Sequence, residues 1–377
     1  MQFTDVVGHE ALKERIRKSV SDGRIAHAQL FAGSQGTGNL PLALAYAQYL
    51  LCSNRTPTDS CGQCPSCRKA AKLEHPDLHL VFPMATAEKS DVDSSIDPAA
   101  EVIGSWRQAV LANPYLSEAE WYNALDMRNK QGLISTASAS HVIRSLSLKS
   151  YESEYKVMVI WLPERMNSAA ANKLLKIVEE PPAQTVFLMV SENPSLLLKT
   201  ITSRTQQITV PPIDEQSIAQ ALQQRMGVAA NMAASIAHIS CGNYSKAQTL
   251  CTTPTGTYYE RYVQLMRLCY ANKYLDLLSW ADTMAKLGRE EIKGFVNYAL
   301  DITRNSLMLN LGLPDLCFSA TEEQQFVQNF SPFIHRQNID RITNELTLVN
   351  EHIAHNANAS IVFTDFVLKL SQIIGSK

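Results

Sequence analysis

Cys52, Cys61, Cys64 and Cys67 follow the spacing C-x8-C-x2-C-x2-C. Four thiolates this close in sequence can surround one tetrahedral Zn2+ at Zn–S near ~2.3 Å. The turns of Cys61-Gly-Gln-Cys-Pro-Ser-Cys67 aim successive thiolates at one centre. A four-cysteine iron–sulfur cluster is the alternative, but no redox machinery accompanies the cysteines. Disulfides are the weaker explanation in a cytoplasm that keeps thiols reduced. Four protein ligands leave no open coordination position, so the expected zinc is structural and folds a knuckle too poor in apolar residues to fold alone. The remaining cysteines, Cys241, Cys251, Cys269 and Cys317, are scattered and read as small buried apolar side chains.

A second chemistry is present only in outline. Gly33-Ser-Gln-Gly36-Thr-Gly38-Asn39-Leu40 has the glycine spacing of the phosphate-cradling loop G-x-x-x-x-G-K-[ST], with Gly33 and Gly38 in the two glycine positions. Asn39 stands where a lysine would reach the β- and γ-phosphates, and Leu40 stands where a hydroxyl would hold Mg2+. The acidic pair expected at the end of the Val157–Ile160 run is replaced by Trp161-Leu162-Pro163, and the next acid, Glu164, is displaced beyond the strand. Loss of the lysine, the metal hydroxyl and both carboxylates removes most of the electrostatic stabilisation that phosphoryl transfer requires. ATP hydrolysis by this chain is therefore not expected. Nor is nucleotide expected on Gly33, Gly36, Gly38 and Asn39, although N–H groups at a helix N-terminus still attract anions.

The third candidate is Arg204, in Ser203-Arg204-Thr205, after a helix expected over Pro194 to Thr202 and before the last strand. Alone it reads as a solvated surface arginine. Beside a disabled phosphate loop it reads as an arginine finger, projecting from the domain to the γ-phosphate bound by a neighbouring subunit.

The elements that must position these groups follow from patterning. Residues 1–210 alternate short apolar runs with amphipathic stretches, as an α/β domain with a parallel sheet does. Strands are predicted at Ala28–Ala32, Leu78–Phe82, Lys156–Trp161, Thr185–Val190 and Gln206–Val210. A helix capped by Asn167 and stopped by Pro181-Pro182 lies between the third and fourth. The stretch from Met84 to Gly132 interrupts the rhythm and reads as an insertion, with a mobile acidic opening and then helix around Trp106, Val110, Trp121 and Leu125. Pro211-Pro212 and Pro254-Thr255-Gly256 mark boundaries. Between them a short helical segment runs from about Asp214 to Cys251, with a turn at Gly242-Asn243. Beyond them the chain is helical throughout, with core stripes Tyr262/Leu265/Met266/Cys269, Ile292/Phe295/Val296/Ala299 and Phe363/Phe366/Val367/Leu370.

Composition sets the outer limits. The 377 residues are 45% hydrophobic and 19% charged, enough to bury ordinary cores and unlike a disordered chain. With 34 basic against 36 acidic residues the net charge is -2, so no global field drives the chain onto nucleic acid or anionic lipid. Its first residues show no secretory signal and no apolar run reaches membrane-spanning length, so a cytoplasmic protein without membrane contact is expected.

HAQLFAGSQGTGN, the four-cysteine knuckle, EHPDLHLVFP, KVMVIWLPERMNSAAANKLLKIVEEPP and SENPSLLLKTITSRTQQI together resemble the delta prime family of bacterial DNA polymerase III, a component of the sliding-clamp loader. The resemblance covers most of residues 1–250 in order. It implies an AAA+-like phosphate-loop domain over residues 1–210, with a parallel five-stranded sheet, the zinc knuckle at 52–67 and the insertion at about 84–132. A small helical lid over 211–253 and an all-helical collar over 254–377, through which five subunits assemble, would follow. It further implies a subunit that hydrolyses no ATP and lends Arg204 to a neighbour's site. Its partners would be the tau/gamma-type ATPase subunits, which alone bind ATP, and the delta subunit. The sliding clamp and primer-template DNA would be met through the complex. This chain departs from the family pattern in Thr205 for cysteine, in the insertion, and in Trp161 for an acid. Two other readings remain open: an active clamp-loader-type ATPase with an unorthodox site, and a zinc-dependent nucleic-acid-binding protein.

Overall fold

Val157-Met-Val-Ile160 offers solvent no polar side chain, and a strand of that kind is stable only when covered on both faces. The computed structural model describes all residues except 85–98, 127–131, 253–254, 315–316, 318–320, 356 and 376–377. Its elements are, in chain order, α1 (Glu10–Ser21), β1 (Ala28–Ala32), α2 (Asn39–Leu51), α3 (Pro65–Ala71), β2 (Leu78–Val81), α4 (Ile103–Ala112), α5 (Glu118–Ala124) and α6 (Thr136–Ser147). There follow β3 (Lys156–Trp161), α7 (Ser168–Glu179), β4 (Thr185–Ser191), α8 (Lys199–Thr202), β5 (Gln206–Thr209) and α9 (Glu215–Met226). The remaining helices are α10 (Ala230–Ser240), α11 (Tyr244–Thr252), α12 (Thr255–Tyr270), α13 (Tyr274–Ala285), α14 (Arg289–Asn310), α15 (Thr321–Phe330), α16 (Ile339–Ala354) and α17 (Ala359–Gly375).

The five strands are all parallel, in the order β2-β3-β4-β1-β5. Every residue of β1, β3 and β4 is buried, whereas β5 at the edge exposes three of its four. One face of the sheet packs on α2, all of whose residues are buried, with Phe31, Val157, Val159, Leu188 and Val190 in the same core. The other face, through Leu30, Met158, Ile160, Phe187 and Met189, meets Val142, Leu146, Leu174 and Val178 of α6 and α7. The loops after β1, β3 and β4 therefore gather at one end of the sheet, where parallel α/β folds place their ligands.

The strands lie where the apolar runs predict them, within a residue or two at their ends. Asn167 caps α7 by accepting the Ala170 N–H at 2.7 Å. The expected helix from Pro194 to Thr202 is broken: a single 3-10 turn at Pro194–Leu196 is followed by extended Leu197 and Leu198 before α8. The extended pair lets Leu197 join Ile201 in the core, burial that a continuous helix would forgo. Part of the 84–132 insertion, including its acidic opening, lies outside the described residues. The rest contains α4 and α5, with Trp106, Val110 and Trp121 fully buried.

Packing divides the chain into two compact units, Met1–Gly227 with Ser240–Gln248, and Val228–Ile239 with Thr249–Lys377. The second is a helical bundle. Its core contains all twelve residues of the three stripes read from the sequence, and buried Tyr262 and Thr303 hydroxyls meet at 3.0 Å. Among the described residues no helix is long and apolar enough to cross a membrane.

Candidate functional site

The four cysteine sulfurs converge. All lie within 4.8 Å of one another, with Cys52–Cys61, Cys52–Cys64 and Cys61–Cys67 separations of 3.6, 4.0 and 3.9 Å. A tetrahedron with metal–sulfur distances of ~2.3 Å has edges of ~3.8 Å, so the set fits a single metal ion. Cys64 caps α3, Pro65 starting the helix, and the N–H groups of Cys61, Cys64 and Cys67 point at the sulfurs of Cys52, Cys61 and Cys64 at 3.3–3.4 Å. Burial pushes the Cys52 and Cys67 thiols up. Backbone N–H groups of Gln63 and Cys64 hold Cys61 down, and Cys64 falls to about 6 because hydrogen bonds with Ser53 and Cys67 outweigh its burial.

The knuckle is also a clasp. Asp59 accepts the N–H groups of Phe3 and Thr4 at 3.1 and 3.0 Å, fixing buried Phe3 against Tyr49. Two of its basic neighbours are engaged, Arg55 with Glu154 at 2.8 Å and Lys69 with Glu152 at 2.7 Å, while Arg68 and Lys72 are exposed. That pairing reduces the basic charge available to a phosphate backbone to the two exposed side chains, a small patch for nucleic-acid binding.

At the phosphate loop, Asn39 does not face an open cleft. Its side-chain amide donates to the Gly33 carbonyl at 2.6 Å and to the Ser191 carbonyl, at the end of β4, at 3.3 Å. Its oxygen accepts the Thr37 hydroxyl at 2.9 Å. The residue that replaces the phosphate-binding lysine thus ties the loop to the sheet. His9 adds a second tie, its Nε2 lying 2.7 Å from the Thr37 carbonyl. Because a carbonyl can only accept, Nε2 carries the proton, and burial lowers the His9 pKa and keeps the ring neutral. Leu40 is buried in the core beneath the sheet. Gly36, at φ +73°, has no room for a side chain, since a Cβ there would lie 1.9 Å from the Asn243 amide oxygen. The adjacent Tyr244 N–H donates to the Gly36 carbonyl at 2.9 Å.

Trp161, in place of an acid, is 1% exposed and lies 6.3 Å from Trp106 of the insertion. Glu164 is structurally committed: one carboxylate oxygen accepts the N–H groups of Glu192 and Asn193 at 2.9 and 3.1 Å. Between the loop, Trp161 and the end of β4 lies a half-open pocket of about 10 Å³, lined also by Pro114, Tyr115 and Leu116. That is about the space of a single water, against several hundred Å³ (~300 or more) in an ordinary ligand pocket.

Arg204 lies between α8 and β5. Instead of projecting freely, it rests on the end of α7, with Nε 2.8 Å from the Glu179 carboxylate and Nη1 3.1 Å from the Thr200 carbonyl. Its side chain is 33% exposed, so the guanidinium still reaches solvent.

Sequence reasoning missed the residues that fill the cleft, His9, Tyr115 and Asn243, and the one that holds Arg204. One signal for Tyr115 was legible: Asn113-Pro114 is a turn pair, and Ser117-x-x-Glu120 is a capping box, formed here with bonds of 3.1 and 2.7 Å.

Fold and site together define a class: a parallel α/β domain with a glycine-rich loop between its first strand and the following helix, four converging thiols, and a helical bundle after it. The family model for DNA polymerase III, delta subunit, matches residues 8–214, more than half of the chain. The chain belongs to that family, and its relatives place it with the delta prime members. It is 28% identical to DNA polymerase III subunit delta' of Bacillus subtilis (strain 168) over 61% of this chain and 56% of the relative. With the delta' subunit of Pseudomonas aeruginosa the identity is 30%, over 49% of this chain and 43% of the relative. With that of Escherichia coli (strain K12) it is 21%, over 96% and 93%. The chain thus spans about half the length of the first two relatives and nearly all of the third.

Proposed function

We propose that this chain is a non-hydrolysing subunit of a sliding-clamp loader, assisting ATP-dependent placement of the clamp on primer-template DNA. The observation that carries the proposal is that Asn39 and Leu40 on the phosphate loop and Trp161 at the end of β3, which hold the positions of the catalytic lysine, hydroxyl and acid, are all buried. In this reading residues 1–210 form the AAA+-like domain, 211–253 the lid and 254–377 the collar. ATP sits on tau/gamma-type partners, and the delta subunit completes the assembly, in the cytoplasm. Arg204 leaves Glu179 and presents its guanidinium to the γ-phosphate on the neighbouring subunit, where a trans-acting arginine is worth ~10^3-fold or more.

The four cysteines would hold zinc. An all-thiolate, tetrahedral donor set suits that ion, and a fully protein-ligated site makes its role structural. When bound, the ion would neutralise the thiolates and brace the knuckle. The chain's own contribution is the Asp59 clasp on the Phe3 segment.

The test is reconstitution with the organism's own ATPase, delta and clamp subunits. The chain alone should show no steady-state ATPase. Arg204→Ala should assemble normally and lower the DNA- and clamp-stimulated ATPase of the complex. Turnover by the isolated chain, or unchanged ATPase in the mutant complex, defeats the reading.

A further inference from the structure

The described part of the insertion has a definite destination. α4 and α5 converge on a turn at Asn113–Leu116, closed by Leu116 N–H to the Asn113 carbonyl at 3.0 Å and Tyr115 N–H to the Asn113 side chain at 3.1 Å. The base of this element is anchored by aromatic rings. Phe82 stacks on Trp106 at 4.7 Å and meets the edge of Trp121 at 5.4 Å, and Trp121 Nε1 donates to the Pro83 carbonyl at 2.8 Å. Trp106 in turn lies against Trp161, the residue standing in the acid's place.

Tyr115, at the turn, is 4% exposed and touches three separate parts of the domain. Its hydroxyl accepts the Val7 N–H at 2.8 Å, its ring meets Tyr244 edge-on at 4.7 Å, and its Cε1 would lie 3.4 Å from a Cβ at Gly38. The chain before α1, the phosphate loop and the segment after Gly242 are therefore joined through one side chain. Parallel α/β folds leave a ligand crevice at this place.

We infer that the insertion is a built-in occupant of the nucleotide cleft: Pro114, Tyr115 and Leu116 take the place a nucleotide would fill and hold the surrounding segments in one nucleotide-independent arrangement. The inference rests on the reading of the chain as a non-hydrolysing subunit and adds a separate claim. Nucleotide is barred twice, by missing chemistry at Asn39 and Leu40 and by occupation of the space. The aromatic contact between Trp106 and Trp161 joins the insertion to the residue standing in the acid's place.

The experiment is calorimetric titration of the full chain with MgATP, with folding checked by circular dichroism. It compares the native chain, Asn39→Lys/Leu40→Thr, and the same pair combined with Tyr115→Ala. Occupation predicts no binding to the first two and binding at least ~10-fold tighter to the third. Binding to the native chain, equal binding by the second and third, or no binding by a folded third protein overturns it. Tyr115→Val, which keeps apolar bulk, replaces Tyr115→Ala if that chain does not fold. A second readout needs no substitution at the loop: Tyr115→Ala or Tyr115→Val should speed hydrogen exchange at residues 36–40, and unchanged exchange there also overturns it. In the native chain the same amides should exchange slowly and be indifferent to millimolar MgATP, whereas fast or ATP-sensitive exchange is again fatal. ATP turnover by the native chain would instead defeat the non-hydrolysing reading, so the two failures are separable.

Discussion

The Arg204 guanidinium lies 2.8 Å from the Glu179 carboxylate, an ion pair that joins the loop before β5 to the last residue of α7. Glu179 and Arg204 are 55% and 33% exposed, so solvent screens the pair and its contribution is at most ~1 kcal/mol. Such a contact orients the Arg204 side chain without locking it. Arg204→Ala should therefore leave the thermal midpoint of the isolated chain within a few degrees (~4 °C) of native while reducing ATPase in the reconstituted complex. Arg204→Lys should not restore that activity, because a lysine lacks the planar fork. Differential scanning calorimetry and steady-state turnover measure the two effects.

Substituting Cys64 tests the metal centre and its mechanical consequence together. Bound zinc should fall from about one per chain to none, read by atomic emission after gel filtration. Hydrogen exchange at the Phe3 and Thr4 amides should quicken, since their acceptor, Asp59, belongs to the same loop. The ion pair at Arg204 should be unaffected. Full zinc retention would refute the ligand set.

Asn39→Ala removes the donor shared by the Gly33 and Ser191 carbonyls inside a buried loop. The expected cost is ~1–3 kcal/mol in urea denaturation, with no change in the slope against denaturant. A functional vestige with no structural task would cost nothing.

Glu192 supplies a pH dependence. Burial, with Glu164 and Glu118 nearby and Arg165 only partly compensating, raises its pKa to about 8. The folded chain then keeps a proton that the unfolded chain releases in the usual carboxylate range. The associated stability is fully present below that range and is lost as pH rises towards about 8. Glu192→Gln should flatten the decline of the thermal midpoint between about pH 6 and about pH 8.5. A native midpoint that rises over that window would contradict the assignment.

What was legible in the sequence divides by range. Strands β3 and β4 contain continuous apolar runs, Val157–Trp161 and Val186–Val190, and the bundle stripes repeat at helical spacing. Both are local signals and both are found where read. The convergence of the four cysteines was also legible, because a knuckle closes over few residues. The Pro194–Thr202 helix failed because residues of good helical pattern were outweighed by burial of Leu197, a tertiary demand. Glu179 holding Arg204, and Tyr115 reaching Val7, Gly38 and Tyr244, join residues far apart in the chain, and no periodicity reports such meetings. Asn39 shows the limit most plainly. Its identity announces the missing charge but says nothing of the carbonyls it binds instead.

Trp106 and Trp121 pack on Phe82 and Trp161 lies against Trp106, while Trp280, the fourth tryptophan, lies in the helical bundle between Phe295 and Phe363. Intrinsic fluorescence is thus weighted towards the insertion and its seat. Loosening of that seat will shift most of the emission to the red while the bundle is still intact. A phenylalanine at position 280 would turn the spectrum into an optical gauge of the first unit alone.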